Sequence, residues 1–409
     1  MNFSYESILP IAPLKIAALE GCRELAETMD KYLVEFRQKS NQEFQDQPNF
    51  HGYHEDTYLI KTACPRFGTG EAKGIIYESI RGADLFILAD VTNHSLTYQI
   101  AGQENHMSPD DHYQDLKRII SAANGKARRI NVIMPFLYES RQHKRSQRES
   151  LDCAFALQEL IDMGVSNIIT FDAHDPRVCN AIPLYGFDSF NPPYQFIKGL
   201  FRSVPDLKID KDHLMVISPD EGAMSRAVYF AGVLGVEMGM FYKRRDYSVV
   251  VGGKNPIVAH EFLGDDLHGK DAIIIDDMIS SGESMLDVAR QIKERGAKRV
   301  FVCVTFGLFT DGLKKFDEYY EKGYIDKVVT TNLNYRTPEL LSKPYYVEAT
   351  MTKFLAAIID CINHDVSTEH VNDPTERIHT LLEKYENLEN KENKEVCQQQ
   401  QRNLKQKPL

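Results

Sequence analysis

With 409 residues, the chain is long enough for two or three domains, each with a core of its own. It carries 48 Lys and Arg against 59 Asp and Glu, a formal charge of -11, which argues against nucleic acid or an anionic membrane as its partner. The seven cysteines contain no CxxC pair, no apolar run approaches a membrane span of about 18 residues, and the N-terminus lacks a signal pattern. These features exclude a disulfide framework and a zinc ribbon, and they lead us to expect a soluble, cytoplasmic protein.

In chain order, apolar runs predict strands over 83–91, 129–137, 167–172, 213–218, 236–242, 271–275, 299–305 and 327–331. Helical spacing predicts helices near 19–37, 110–124, 151–163, 222–234 and 283–295. The alternation implies parallel sheets covered on both faces, hence an α/β fold of doubly wound parallel-sheet domains. A spacer at 186–194, rich in Pro, Asn, Ser and aromatics, reads as the crossover between two halves, and the polar segment 38–54 reads as a surface insertion. The expected division is 1–192, 193–346, a helix over 347–365 returning to the first half, and a polar tail over 366–409. In that tail, Asp373-Pro374-Thr375-Glu376 caps a short amphipathic helix carrying Ile378, Leu381, Leu382, Tyr385 and Leu388; beyond Asn390 the composition predicts disorder.

The most informative stretch runs from Ala272 to Ser284. A buried strand ends in Asp276 and Asp277, a loop of Ser280, Ser281 and Gly282 follows, and a helix begins with Ser284 in its first turn. Free amides at a helix start, with the Ser hydroxyls, cradle a phosphate, and carboxylates at the strand end accept from ribose hydroxyls or hold hydrated magnesium. An ordinary capped turn is the alternative on these residues alone. Other strand ends carry Asp172-Ala173-His174, whose carboxylate and imidazole, two residues apart, are expected to face one side. Asp220 follows Ser218-Pro219, with Arg226 one helical turn on. The basic segment Arg141-Gln142-His143-Lys144-Arg145 and the tip Lys243-Arg244-Arg245, before the Gly-containing stretch 246–255, suit a polyphosphate and a closing loop. A solvated basic loop and an exposed turn are the simpler readings of these two segments.

Taken in order, these motifs resemble the ribose-phosphate pyrophosphokinases from about Arg66 to Ile362: Arg66 to Glu71, Glu78 to Asp84, Ser140-Arg141-Gln142, Asp172-Ala173-His174, Ser218-Pro219-Asp220, Lys243-Arg244-Arg245 and Asp276 to Ser284. The resemblance implies two domains of the phosphoribosyltransferase type and transfer of the diphosphoryl group of ATP to the 1-hydroxyl of ribose 5-phosphate. Lys243, Arg245 and His174 would act in transfer; Asp172, His174 and Asp220 would hold Mg2+. Phe67, Glu71, Arg141 and Gln142 would bind ATP, with Phe67 and Glu71 reaching across a subunit interface. Asp220, Asp276, Asp277, Ser280, Ser281, Gly282 and Ser284 would bind ribose 5-phosphate. A dimer-based homo-oligomer, up to a hexamer, follows from the shared adenine pocket.

Three departures stand against the family pattern: Gly68-Thr69 in place of Ser-Asp, His143 in place of Asp, and Ser-Ser-Gly-Glu-Ser over 280–284, where Glu283 sets an acid beside the phosphate loop. A regulatory homologue without turnover and a phosphoribosyltransferase that consumes PRPP are the two other functions compatible with these motifs.

Overall fold

Strands with apolar side chains on both faces must be covered on both, and Asp84–Leu88 and Val300–Gly307 are buried at every position. Each lies inside a different sheet. The computed structural model describes residues 8–39, 51–245 and 257–385, with the side chains of 243–245 and 257–260 set aside. The first sheet is parallel throughout, in the order Gly186–Phe190, Asn167–Phe171, Arg129–Ile133, Asp84–Leu88, Leu14–Ala18, Leu59–Ile60. The second runs Ile257–Leu263, Glu237–Arg245, Leu214–Ser218, Asp271–Ile279, Val300–Gly307, Lys327–Thr331, Tyr346–Ala349, and its outermost pair, Ile257–Leu263 with Glu237–Arg245, is antiparallel.

Strand order decides where a ligand can sit. In the second sheet the chain leaves Leu214–Ser218 toward Glu237–Arg245, then returns to place Asp271–Ile279 on the other side. The helices that follow these two inner strands diverge and leave a crevice at the strand ends. Residues 219–222 and 280–284 line it.

All eight predicted strands are present, with shifted ends. Two ends shift by four residues: the strand predicted over 129–137 stops at Ile133, and the one at 271–275 continues to Ile279 and carries Asp276 and Asp277 within the stretch paired to Val300–Gly307. The spacer 186–194 is not a plain crossover: Gly186–Phe190 is the edge strand of the first sheet, and Pro193 starts the helix Pro193–Ser203 that packs on the second. Edge strands need no two-sided apolar run, which is why composition disguised this one. The helix expected over 347–365 begins at Thr352, because Val347 and Ala349 alternate with half-buried neighbours as the last strand of the second sheet. Helix Thr352–Asn363 packs on helix Arg23–Gln38 in the apolar core of the first sheet. Buried Arg37 ties the two, its Nε donating to Asp360 Oδ1 at 2.9 Å.

The insertion read at 38–54 is not wholly superficial. Tyr53 is buried and lies under the Arg37 guanidinium, 4.7 Å from carbon to ring centre; residues 40–50 fall outside the described residues. The tail helix spans 375–385, with Asp373 Oδ1 accepting from the Thr375 amide at 2.9 Å. It lies on the second domain through fully buried Ile378, with Tyr385 stacked on Phe201 at 4.0 Å between ring centres. Leu388 and the polar end beyond it lie outside the described residues.

Candidate active site

The crevice of the second sheet holds a cavity of about 260 Å3 lined by Asp220, Asp276, Asp277, the loop 280–284, and Arg141 and His174 from the first domain. Gly282 makes the loop possible. It sits at φ 84° as the N-cap of helix Glu283–Glu294, a conformation that side chains disfavour, and an added Cβ would meet Phe316. The N-cap glycine offers no side chain and Ser281 Oγ reaches only the Glu283 amide, at a long 3.5 Å, so the positive dipole end is left to an anion. Glu283 does not compete for that place: its carboxylate is exposed and accepts from Lys315 Nζ, which holds it below the usual range.

The paired aspartates divide their work. Both line the cavity, and their partners differ. Asp277 is buried, with Oδ2 2.7 Å from His174 Nδ1 and 3.9 Å from Arg226 Nη2. Burial opposes its charge, yet the His174 hydrogen bond and the Arg226 charge prevail and hold the carboxyl below its ordinary range. Asp276 goes the other way, since burial and the adjacent charge of Asp277 push it well up. The contact to Asp277 engages His174 at Nδ1 and leaves Nε2 to another partner, the arrangement that orients metal-binding imidazoles.

Asp172 and His174 were expected to face one ion, and their contacts diverge instead. Asp172 stands at φ 40°, a left-handed turn that ends the alternation of its strand. Its Oδ1 accepts from Arg226 Nε at 2.6 Å and its Oδ2 from Thr305 Oγ1 at 2.7 Å, one hydrogen bond on each oxygen. Burial raises its pKa, more than the Arg226 charge lowers it. Asp172, expected as a metal ligand, is the partner of Arg226 in this structure.

Arg141 is exposed and reaches the cavity from the first domain. Gln142 is drawn into its own loop, its Nε2 donating to Ser150 O at 2.7 Å and Lys144 O at 3.3 Å. This side chain, expected to contact ATP, braces the basic loop through its Nε2. His143 lies between His174, ring centres 5.4 Å apart, and Asp175, 3.4 Å from Nε2 to Oδ2. Phe67 is half exposed at the tip of a turn closed by Phe67 N donating to Glu71 O at 2.7 Å. The Thr69 hydroxyl donates to Glu71 Oε2 at 3.0 Å. Arg66 anchors the turn, its Nη1 and Nη2 donating to the two carboxylate oxygens of Asp115 at 2.6 and 2.9 Å. Lys243 and Arg245 end the strand Glu237–Arg245, paired with His260 and Ile257; their side chains and the loop 246–256 lie outside the described residues.

The residues missed as a unit are Arg226 and Thr305. The only signal for Arg226 was its place one turn after Asp220, and Thr305 gave none.

A family model described as the N-terminal domain of ribose phosphate pyrophosphokinase matches residues 14–164, and a phosphoribosyl transferase domain model matches residues 195–340. The ribose-phosphate pyrophosphokinase of Shewanella oneidensis is 30% identical over 307 residues, 74% of this chain and 87% of that one. The enzyme of the same name from Pasteurella multocida is 30% identical over 308 residues, 74% and 88% of the two chains. The solved structure of phosphoribosylpyrophosphate synthetase from Mycobacterium smegmatis has the same fold, with a TM-score of 0.66 at 22% identity over 86% of this chain and 99% of that one.

Proposed function

Because the chain belongs to the ribose-phosphate pyrophosphokinase family, we infer that it transfers the β,γ-diphosphoryl group of ATP to the 1-hydroxyl of ribose 5-phosphate, giving PRPP and AMP. The observation that carries this reading is the uncapped start of helix Glu283–Glu294 facing His174 and Arg141 of the other domain across one cavity. An anion site and a nucleotide-side imidazole thereby share a space suited to a sugar phosphate and the end of a polyphosphate.

The amides of the 280–284 loop, with Ser280, Ser281 and Ser284, bind the 5-phosphate in this reading, and Asp276 accepts from the ribose hydroxyls. Asp277 serves the ribose only indirectly, since it holds His174. Arg141 meets the ATP phosphates. Lys243 and Arg245 supply positive charge where it builds up on the transferring group. Catalysis of this kind is positioning and charge neutralisation, which fits a site without an activated nucleophile.

Magnesium fits the donors present. Among the described residues no three His, Cys, Asp or Glu groups come together tightly enough to hold a metal by themselves. That suits an ion that keeps several waters and is held by substrate phosphates and one or two side chains, here His174 and Asp220. When bound, it neutralises charge on the ATP phosphates. A homo-oligomer built from dimers, in which exposed Phe67 and Glu71 complete a neighbour's adenine pocket, and a cytoplasmic location complete the proposal.

The test is AMP formation from ATP and magnesium, with and without ribose 5-phosphate. Turnover that depends on ribose 5-phosphate and collapses in Lys243→Ala supports the reading. Binding of ATP without any turnover supports a regulatory homologue, and base-dependent release of pyrophosphate from PRPP supports a phosphoribosyltransferase.

A further inference from the structure

The residues Asp172-Ala173-His174 follow the strand Asn167–Phe171, and the edge strand of the first sheet holds two of their amides, Asp172 N donating to Phe190 O at 2.8 Å and Ala173 N to Ser189 Oγ at 3.1 Å; the Asp172 carboxylate, the Ala173 carbonyl and His174 Nδ1 are held from the second domain. Arg226, on helix Met224–Leu234, donates from Nε to Asp172 Oδ1 at 2.6 Å and from Nη2 to Ala173 O at 3.1 Å. The same Nη2 lies 3.9 Å from Asp277 Oδ2, which in turn holds His174 Nδ1 at 2.7 Å. Thr305, on Val300–Gly307, donates to the remaining oxygen of Asp172 at 2.7 Å. Three elements of the second domain thus grip one turn of the first, and a single guanidinium spans both aspartates.

We propose that Arg226 is a positioning residue for the transfer step: it sets the nucleotide half of the site, carried by His174, at reacting distance from the sugar half, carried by the 280–284 loop. Arg226 borders the cavity but is largely buried, with 15% of its side chain exposed, and its Nε and Nη2 are committed to Asp172 and Ala173. Donors committed in this way fix a geometry. Arg141 and His174 of the first domain meet the ATP phosphates and the 280–284 loop of the second meets the sugar phosphate, so loss of this link impairs the step that needs both far more than it impairs single-substrate binding. A lysine keeps the charge but, as a point donor, cannot hold Asp172, Ala173 O and Asp277 together. Misplacement of reacting groups by about 1 Å costs on the order of 100-fold in rate.

This inference rests on the pyrophosphokinase reading, and its test separates the two. Arg226→Lys, Asp172→Asn and the double variant are compared with wild type for turnover, for the Kd of ribose 5-phosphate alone, and for the Kd of a non-hydrolysable ATP analogue with and without ribose 5-phosphate. The expected result for Arg226→Lys is a kcat about 100-fold down, with each single-substrate Kd within about threefold of wild type. The double variant should fall no further, because both changes cut the same link. The effect of ribose 5-phosphate on analogue affinity should vanish in the variant, a readout that needs no turnover. If wild type binds both ligands cooperatively but makes no AMP, the functional reading fails while this inference survives through that coupling. Unchanged kcat and coupling, a Kd for one substrate that rises in step with the loss of kcat, or multiplying losses in the double variant would each overturn it.

Discussion

Replacing Gly282 with alanine tests whether the phosphate loop depends on a backbone turn that other residues resist. At φ 84° the left-handed conformation costs a side chain about 1–2 kcal/mol. The new Cβ would also lie 2.6 Å from Phe316 Cε2 and closer still to Cζ. Phe316 cannot easily yield, being fully buried with its ring edge-on to Phe309 at 5.0 Å between centres. Overpacking of this sort adds about 1–3 kcal/mol. The total, about 2–5 kcal/mol, appears as lost stability if the loop keeps its shape, or as a displaced helix start if it relaxes. Urea unfolding followed by circular dichroism reads the first, and the KM for ribose 5-phosphate reads the second, with a rise of at least about tenfold expected from a shift approaching 1 Å. The ATP site should be spared. A Gly282→Ala protein with both the wild-type unfolding midpoint and the wild-type KM for ribose 5-phosphate would refute the reasoning.

Glu283→Gly should leave the KM for ribose 5-phosphate within about twofold, since the exposed carboxylate already turns away to Lys315; steady-state kinetics at low and moderate salt check this. Lys243→Ala should lower kcat by orders of magnitude while the Kd for ATP stays nearly constant, because its contact forms mainly in the transition state; isothermal titration set beside an AMP assay separates the two. Occupying the site with magnesium and ribose 5-phosphate should release protons at pH values below the raised pKa of Asp276 in the free protein, because a metal-facing or hydrogen-bond-accepting carboxylate is favoured in its ionised form. Binding enthalpies in buffers of different ionisation heat measure that release. Ile378→Ala should destabilise the chain by about 2–4 kcal/mol if the tail helix is part of the folded second domain, seen as a lower denaturation midpoint with unchanged kcat.

The interior of the fold was legible wherever burial on both faces wrote an unbroken apolar run, as at Asp84–Leu88 and Val300–Gly307. Edges were harder to read. Gly186–Phe190 and Tyr346–Ala349 are the outer strands of their sheets, half covered and short, so their composition resembles a loop or a helix start. Leu14–Ala18 passed unnoticed because its run is only five residues and leads straight into a helical pattern. In the site, the phosphate loop could be read locally, since strand, loop and helix are contiguous. What sequence could not give was the fate of each polar group across the domain boundary. Asp172 and Arg226 lie 54 positions apart, and His174 and Asp277 lie 103 apart. One left-handed residue, Asp172 at φ 40°, ends the strand alternation there, and Asp172 and His174 line one cavity while taking different partners.

The central claim is that both terminal phosphoryl groups of ATP move together to the anomeric oxygen of ribose 5-phosphate. Phosphorus-31 magnetic resonance of the reaction mixture follows each phosphate directly. The account predicts that the β and γ signals of ATP are replaced by the diphosphate signals of PRPP while AMP accumulates in equal amount. ADP with a singly phosphorylated sugar, or a spectrum unchanged by active, folded protein, would contradict it.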